Sequence, residues 1–247
     1  FDKAYGSYEE MLLDPMVDLV YVATPHSHHY DQVKMCLEHG KHVLCEKAFT
    51  VNEKQARDLF AMAKERKLLL TEAIWTRYMP MRKTLEEVLA SGVIGNPYML
   101  TANLSYIIDW KERIKKPELA GGALLDIGIY TLNFASMAFG DDIEKITGTA
   151  TFNEYGMDMQ ENITILYKDG RMAALNASAR SLSDRRGIIY GDKGYIETEN
   201  INNCEGIKVF DTERKQIACY ETPKQITGYE YEVEACVYAI EHGELEC

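Results

Sequence analysis

The chain has 247 residues, 46% of them hydrophobic and 27% charged, which is an ordinary globular balance and enough length for one large or two modest domains. A formal net charge of -12 would repel a nucleic-acid backbone, and no run of about 18 apolar residues predicts a membrane-spanning helix, so neither partner is expected. The six scattered cysteines form no CxxC pair, which favours reduced thiols and a cytoplasmic location.

The first third of the chain alternates strand and helix signals. Val17–Thr24 is a continuous apolar run that predicts a strand buried on both faces, and Lys41–Glu46 and Leu68–Ala73 predict two more. Helices are predicted between them, one capped by Ser27 and running to Glu38, the other capped by Asn52. Short strand–helix–strand connections imply right-handed crossovers and therefore a parallel sheet.

The pattern changes after a helix at about Met81–Ser91. A strand near Tyr98–Tyr106 leads to a helix at about Gly122–Phe139, and turn signals then separate a series of short alternating runs that predict an antiparallel sheet. These runs are 143–152, 162–167, 172–179, 187–190, 195–197, 207–210 and 216–220. A last helix is predicted at about Tyr229–His242, and the domain boundary is placed near Pro80.

Polar and charged residues that could bind a ligand or take part in catalysis lie at the ends of the predicted parallel strands. Such sheets bind ligands in the crevice outside the carboxyl ends of their strands. Thr24 and Pro25 follow the first strand, Glu46 and Lys47 end the second, and the third ends at Glu72 and the residues after it. An ammonium group at such a crevice, above an apolar sheet, polarises its neighbours strongly. This edge of the sheet is therefore the predicted site.

Five ordered segments resemble a known family. They are KAYGSYEEML (3–12), ATPHSHH (23–29), HVLCEKAF (42–49), EAIWTRYMP (72–80) and GGALLDIGIY (121–130). Together they resemble the Gfo/Idh/MocA oxidoreductases, within which they look most like the dimeric dihydrodiol dehydrogenases and related xylose dehydrogenases.

The resemblance implies an α/β plus α+β fold. A partial Rossmann parallel sheet that binds NAD or NADP is expected over residues 1–79, and an α/β domain with a large open, mainly antiparallel sheet over 80–247. The second domain is expected to bind the substrate and to form a homodimer or higher homo-oligomer through its sheet. No GxGxxG loop precedes Val17. We therefore expect that Phe1 falls inside the Rossmann domain, that the chain as given is a fragment, and that alone it binds NAD(P) poorly.

Three residues carry the predicted catalysis: Lys47, Tyr130 and Asp126. In the family the lysine of an EKP motif is catalytic; Lys47 matches it, with Ala48 in place of the proline. Asp126, Tyr130 and Asn133 recur at i, i+4 and i+7 and so share one face of the predicted helix. An ammonium favours the phenolate form of a nearby tyrosine, so we predict that Lys47 faces Tyr130. By resemblance, Asp126 orients either Tyr130 or the hydroxyl groups of the substrate.

The remaining candidates belong to the cofactor side or to alternatives left open. By resemblance Thr24, Pro25 and His29 line the nicotinamide, although His29 has a structural alternative. Two alternatives stay open for Glu72, Trp75 and Arg77. In the first, the charged pair forms a plain salt bridge and Trp75 is a core aromatic residue. In the second, Trp75 lies over the substrate and Arg77 lies near the cofactor. The HxHH cluster at His26–His29 lacks further ligands at zinc spacing, so no metal is expected.

Three hypotheses about function follow. The first is an NAD(P)-dependent dehydrogenase that transfers a hydride between nicotinamide and a sugar, polyol or dihydrodiol-like secondary alcohol or carbonyl. The second is a binding or regulatory protein that keeps the fold without turnover, which Ala48 and the absent glycine loop favour. The third is a structural protein that dimerises through its open sheet, a role compatible with catalysis.

Overall fold

The computed structural model describes residues 2–247, which form two compact units. The first unit comprises residues 2–74 together with Glu230–Cys247, and the second comprises Trp75–Tyr229. The sequence placed a boundary near Pro80 and kept the last helix with the second part of the chain. The structure places that helix in the first unit instead.

The first unit is built on a parallel sheet of three strands in the order β1-β2-β3. Its elements, in chain order, are α1 (Tyr8–Leu12), β1 (Leu19–Val22), α2 (His26–Glu38), β2 (His42–Glu46), α3 (Glu53–Arg66), β3 (Leu70–Ala73) and the C-terminal helix (Glu230–His242). All three predicted strands and their parallel pairing are confirmed.

Helix caps in the first unit follow the prediction once and depart from it once. Asn52 caps α3, because its side chain accepts a hydrogen bond from the backbone N–H of Gln55. The prediction for α2 was wrong by two residues: Pro25 is the N-cap and makes no side-chain capping bond, so Ser27 lies inside the first turn. Proline is compatible with a helix start, since the first amides have no intrahelical partner.

Both faces of the small sheet are covered at β2, whose central residues are all buried. The prediction that the first strand is buried on both faces was wrong, because β1 alternates between buried and exposed residues and leaves Tyr21 48% exposed. On one face, Val22 and Val43 pack with Val33 of α2 and Leu59 of α3 in a buried cluster. The other face is covered by the C-terminal helix, which buries a smaller cluster formed by Leu44, Leu69, Ala73, Cys236 and Ala239. The end of the chain therefore completes the core of its first unit.

The second unit is a large sheet with helices on one face. Its helical elements are a 3₁₀ turn (Trp75–Arg77), α4 (Pro80–Ala90), α5 (Glu112–Lys115), a 3₁₀ turn (Pro117–Leu119), a π-helical turn (Leu124–Gly128) and α6 (Ile129–Phe139). Its strands are β4 (Pro97–Ser105), β5 (Ile143–Phe152), β6 (Asp158–Tyr167), β7 (Met172–Ser178), β8 (Gly187–Gly191), β9 (Gly194–Glu199), β10 (Gly206–Asp211) and β11 (Gln216–Glu221).

The large sheet has eight strands in the order β11-β10-β9-β8-β4-β7-β6-β5. Only the pair β4–β7 is parallel, and the other neighbours are antiparallel. The π-helical turn and α6 pack on the central strands, where Phe134, Leu104 and Leu175 are buried. The predicted large, mainly antiparallel sheet is confirmed.

Within residues 2–247, one helical stretch, Pro117–Phe139, passes a length and composition test for a membrane span. The sequence had led us to expect none. About three-fifths of its most apolar window is buried inside the structure (61%), and such burial is typical of the core helix of a folded domain. We interpret it as a core segment that covers the large sheet.

Candidate active site

The carboxyl ends of the three parallel strands carry loops that are tied to one another. His29, in the first turn of α2, is fully buried. Its Nε2 lies 2.8 Å from the carbonyl oxygen of Thr24, and its Nδ1 lies 2.9 Å from that of Ala48. Both ring nitrogens thus lie within hydrogen-bond distance of backbone carbonyls, which gives His29 a structural role. It fastens the loop after β1 to the loop after β2.

The loop that carries Lys47 is anchored on both sides. The side chain of Glu46 accepts a hydrogen bond from the hydroxyl of Tyr21 and another, at 3.1 Å, from the backbone N–H of Lys47. Beyond Lys47, the N–H of Phe49 donates to Oε1 of Glu72 at 2.9 Å. Lys47 itself is half-buried, and the peptide bond that follows it is cis. Hydrogen bonds therefore fix the loop at the position where the EKP motif has proline.

Thr24 and Pro25 lie at the end of β1, as predicted. The Thr24 hydroxyl donates to Oε1 of Gln32 at 2.7 Å, and Pro25 begins α2. Within the first turn of the helix, the hydroxyl oxygen of Ser27 is buried without a hydrogen-bond partner among the described residues. The end of β1 therefore offers an unused polar group beside an uncapped helix start.

The C-terminal helix adds an acid that the sequence analysis missed. Glu232 is 1% exposed, and its Oε2 has no hydrogen-bond partner among residues 2–247. Burial, with the carboxylate of Glu46 adding to the effect, raises the pKa of Glu232 to about 8. Glu232 is therefore a neutral acid near pH 7, beside the carboxylate that precedes Lys47. Its spacing with Cys236 and Ala239, at i, i+4 and i+7, was the available signal.

In the second unit, the predicted regular helix over Gly122–Phe139 is wrong in its first part. Leu124–Gly128 is a π-helical turn, and α-helical geometry begins at Ile129. A π turn changes the phase of the side chains, so Asp126 and Tyr130 do not share a face by simple i, i+4 geometry. Tyr130 and Asn133 lie within α6 and do share one face.

Asp126 is held by a cation that the sequence analysis did not name. Its side chain is 6% exposed and forms an ion pair with Arg113, which lies on α5 and is 43% exposed. Tyr130 is 7% exposed, at the start of α6. Asp126 therefore has a charged partner in place. The prediction that Asp126 orients Tyr130 or the substrate did not include this ion pair.

Arg77 binds α6. Its Nε donates to Oδ1 of Asn133 at 2.6 Å and its Nη2 donates to Oγ of Ser136 at 2.8 Å, while Nδ2 of Asn133 donates to Oγ1 of Thr76 at 2.8 Å. The polar stripe on α6 is thus partly used to hold the 3₁₀ turn Trp75–Arg77. These contacts give Arg77 partners on α6, and both predicted alternatives for Glu72, Trp75 and Arg77 stay predictions.

Trp75 is buried under an aromatic partner. Its ring stacks on that of Tyr229, with 4.3 Å between centroids and 10° between planes, and it is 7% exposed. The indole Nε1 has no hydrogen-bond partner among the described residues. Trp75 therefore combines the core aromatic role with an unused donor, and its place over a substrate stays a prediction.

The predicted site residues fall into two groups. Thr24, Pro25, His29, Glu46, Lys47 and Glu72 lie together at one edge of the first unit; Trp75, Arg77, Asp126 and Tyr130 lie in the second. The pairing of Lys47 with Tyr130 joins residues of different units and stays a prediction. Within residues 2–247, no group of three or more His, Cys, Asp or Glu side chains is placed to hold a metal ion.

Comparison with known proteins identifies the family. Residues 2–74 match the model of the oxidoreductase family with an NAD-binding Rossmann fold, and residues 83–197 match the GFO/IDH/MocA C-terminal domain. The chain is 37% identical over 223 residues to the human trans-1,2-dihydrobenzene-1,2-diol dehydrogenase, with 90% of this chain and 67% of the relative covered. The chain belongs to the Gfo/Idh/MocA oxidoreductase family. The predicted membership, fold and relatives are confirmed.

Other members of the Gfo/Idh/MocA family are similar as well. The D-xylose 1-dehydrogenase (NADP(+)) of Hypocrea jecorina is 44% identical over 224 residues, which cover 84% of this chain and 56% of that protein. The trans-1,2-dihydrobenzene-1,2-diol dehydrogenase of Xenopus laevis is 38% identical, with 79% and 59% covered. The chain thus spans less than two thirds of the length of these two relatives.

Two solved structures show the same architecture. A 3-ketoreductase from Actinomadura kijaniata, in complex with NADP and TDP-benzene, matches with a TM-score of 0.88 and 25% identity, covering 96% of this chain and 74% of that one. The aldose-aldose oxidoreductase of Caulobacter crescentus, complexed with glycerol, gives 0.87 at 23% identity, with 97% and 74% covered, and it supports the fold alone.

Proposed function

We propose that the full-length protein is an NAD(P)-dependent dehydrogenase that acts on a secondary alcohol or carbonyl of a sugar, polyol or dihydrodiol. The observation that carries the proposal is the anchored Glu46–Lys47 loop at the carboxyl end of a parallel sheet, in a family whose first domain is an NAD-binding Rossmann fold. The names of the similar dehydrogenases and the NADP bound in the ketoreductase structure favour the same chemistry.

The residues at the strand ends fit a nicotinamide nucleotide. This edge offers the ammonium of Lys47, the unpartnered buried hydroxyl of Ser27 and the uncapped start of α2 as hydrogen-bond donors. The ribose, amide and phosphate groups of a nucleotide supply matching acceptors. Thr24, Pro25, Glu46 and Glu72 lie at the same edge, and His29 supports it. When bound, the nicotinamide accepts or donates the hydride.

Tyr130 and Lys47 have different roles at the reacting oxygen: Tyr130 transfers its proton and Lys47 stabilises its charge. In the oxidative direction Tyr130 takes the proton of the substrate hydroxyl as its general base. The ammonium of Lys47 stabilises the negative charge that develops on that oxygen. In the reductive direction Tyr130 returns the proton to the carbonyl oxygen, and Lys47 polarises the carbonyl beforehand.

Asp126 and Arg113 serve the same reaction from the second unit. The buried carboxylate of Asp126 accepts hydrogen bonds from substrate hydroxyl groups or orients Tyr130, and its ion pair with Arg113 holds it in place. Trp75 offers its unpartnered indole N–H and an aromatic face, both suited to a sugar or cyclic diol. Arg77 acts indirectly by holding α6 through Asn133.

The test is an absorbance assay of the full-length protein with NAD or NADP and a panel of aldoses, inositols and cyclic diols. The proposal expects nicotinamide reduction with at least one member, lost in Lys47→Ala and retained in Lys54→Ala, an exposed lysine on α3. Nucleotide binding without turnover of any panel member would instead favour the non-catalytic binding protein.

We also propose that the protein is a cytoplasmic homodimer or higher homo-oligomer assembled through the large sheet. Most of β5 is exposed, and Gln160, Asn162 and Asn176 line a polar groove of about 320 Å³ on the sheet. No disulfide forms among the cysteines of residues 2–247, which fits a reducing compartment. Sedimentation analysis of the full-length protein tests the assembly, and a monomer at micromolar concentration contradicts it.

A further inference from the structure

Strand β6 presents an acid to each end of the π-helical turn Leu124–Gly128. At the first end, Oδ2 of Asp158 accepts a hydrogen bond from the N–H of Leu124 at 2.6 Å. The approach is close: a Cβ atom added at Gly122 would lie 2.2 Å from Oδ1 of Asp158. Asp158 thus satisfies an amide that the turn leaves without an intrahelical partner.

Glu161 lies at the other end of the turn. A Cβ atom added at Gly128 would lie 2.5 Å from Oε1 of Glu161, so the carboxyl group occupies the space that a larger residue would need. Glu161 is 8% exposed, and neither of its carboxyl oxygens has a hydrogen-bond partner among residues 2–247. An unpartnered buried carboxyl is costly, which calls for an explanation of its presence here.

A β-bulge explains how one strand aims both acids at the turn. The register of β5 with β6 shifts between Thr151 and Phe152, whose partners are Gln160 and Asp158. The bulge leaves Met159 outside the pairing and re-aims Asp158. Residues 158 and 161 would otherwise point to opposite faces of the sheet, since side chains alternate along a strand.

The surroundings of Glu161 keep it neutral. Burial, with the negative charge of Asp158 adding to it, raises the pKa of Glu161 to about 8. The neighbouring strand β7 presents only Ala177 opposite it. The π-helical turn contributes Asp126, whose charge is already paired with Arg113. No cation among these neighbours is placed against Glu161, so its neutral form is the one compatible with the fold near pH 7.

We propose that Glu161 is a positioning residue for catalysis: Asp158 binds the N–H of Leu124, and the carboxyl group of Glu161 packs against Gly128, so that together they fix the place of the π-helical turn that carries Asp126 and leads into Tyr130. The inference rests on the proposed function for its catalytic consequence and on the geometry for its structural one. A carboxylate at position 161 would place a second negative charge beside Asp158 and against the backbone of Gly128. The turn would then shift, and Asp126 and Tyr130 would move with it.

The first test measures the pH dependence of turnover in the full-length protein. Near pH 7, Glu161→Gln is expected to keep kcat within about threefold of wild type, because an amide reproduces the shape of a neutral acid. Above about pH 8 the variant is expected to retain activity that the wild type loses. Glu199→Gln, a paired acid on β9 of the same sheet, is the control and should follow the wild type. Identical alkaline limbs for Glu161→Gln and wild type would overturn the proposal.

The second test is a double-mutant cycle between the acid and the glycine. Gly128→Ala is expected to lower kcat/KM by about tenfold or more, because a displacement of about 1 Å in an active site can cost on the order of 10²-fold. In the Glu161→Ala background the same change should cost at least about threefold less, since the obstructing oxygen is gone. If the effects of Gly128→Ala and Glu161→Ala on kcat/KM were additive, direct contact between residues 128 and 161 would be contradicted.

The third test needs no turnover, which separates the inference from the proposed function. Infrared spectra in the Glu232→Gln background should show the carbonyl band of a protonated carboxyl near pH 7 that disappears above pH 8, and Glu161→Gln should remove it. The band surviving that substitution would refute a neutral Glu161. If no substrate is turned over, the proposed function fails. The placement of Glu161 is then still decided by the infrared result and by the same double-mutant cycle measured with melting temperatures.

Discussion

Replacing Glu232 by glutamine should make the protein more stable than wild type at alkaline pH. Glu232 is 1% exposed on the C-terminal helix, its Oε2 has no partner among the described residues, and it lies close enough to Glu46 for the two charges to interact. The folded chain therefore keeps a proton on Glu232 that the unfolded chain gives up at lower pH. Stability must fall as pH rises through this interval, because the unfolded state binds fewer protons.

The size of the effect follows from the two pKa values. The pKa of Glu232 is about 8 in the folded chain against 4.5 for the free side chain, and each unit corresponds to about 1.4 kcal/mol. The stabilisation is complete below 4.5 and is lost as pH rises through about 8. The full interval sets a ceiling of roughly 5 kcal/mol. Water entry and relaxation reduce such penalties in buried sites, so we expect on the order of 2 kcal/mol.

Urea unfolding followed by far-ultraviolet circular dichroism provides the assay. The free energy of unfolding is compared for wild type, Glu232→Gln and Glu234→Gln, an exposed acid on the same helix, at about pH 5, 7 and 9. Glu232→Gln should gain about 2 kcal/mol on wild type between the lowest and highest pH, and Glu234→Gln should gain nothing. Parallel pH curves for Glu232→Gln and wild type would refute the argument that Glu232 is a buried neutral acid.

Two further substitutions test the anchors of the proposed site. Arg113→Ala should lower kcat/KM by about tenfold, because Asp126 loses its ion-pair partner. The control Arg57→Ala, on the exposed face of α3, should have no effect. Unchanged kinetics for Arg113→Ala would exclude a role of Arg113 in the reaction. His29→Leu should lower the free energy of urea unfolding by about 2 kcal/mol, because a buried carbonyl loses its imidazole donor, and a change below about 0.5 kcal/mol would contradict the structural role of His29.

The parallel strands could be predicted because each is a run of consecutive, mostly apolar residues. Leu19–Val22 and His42–Glu46 are short apolar runs bounded by turn and capping residues, so the sequence alone indicates buried strands. Burial on both faces was correct for β2 and wrong for β1, where Tyr21 is exposed. What covers one of those faces could not be predicted. The C-terminal helix joins the first unit from the far end of the chain, and no local pattern encodes such a contact.

The site shows the same division between local and distant information. Lys47 and Tyr130 were indicated by short motifs, and the structure places Lys47 in an anchored loop and Tyr130 near the start of α6. The π-helical turn was missed because it is a backbone register that shares the apolar pattern of an α-helix. The ion pair of Asp126 with Arg113 was missed because an intervening turn and a glycine pair bring the two together.

The buried acids were visible in principle. Along β6, positions 159, 163, 165 and 167 are Met, Ile, Ile and Tyr, and Glu161 interrupts that apolar alternation. A charged residue on an otherwise apolar face indicates either an exposed edge or a functional group. Only the structure decides between them, because burial of Glu161 depends on the turn that packs against it.

The account depends most on Lys47 and Tyr130 acting together on one reacting oxygen. The direct measurement is kcat of the full-length protein for Lys47→Ala, Tyr130→Phe and the double variant, with the substrate found in the panel. Each single change should cost on the order of 10²-fold or more, and the double variant should lose little beyond the more damaging single change. Near wild-type turnover in either single variant, or losses that multiply fully in the double variant, would contradict the shared role.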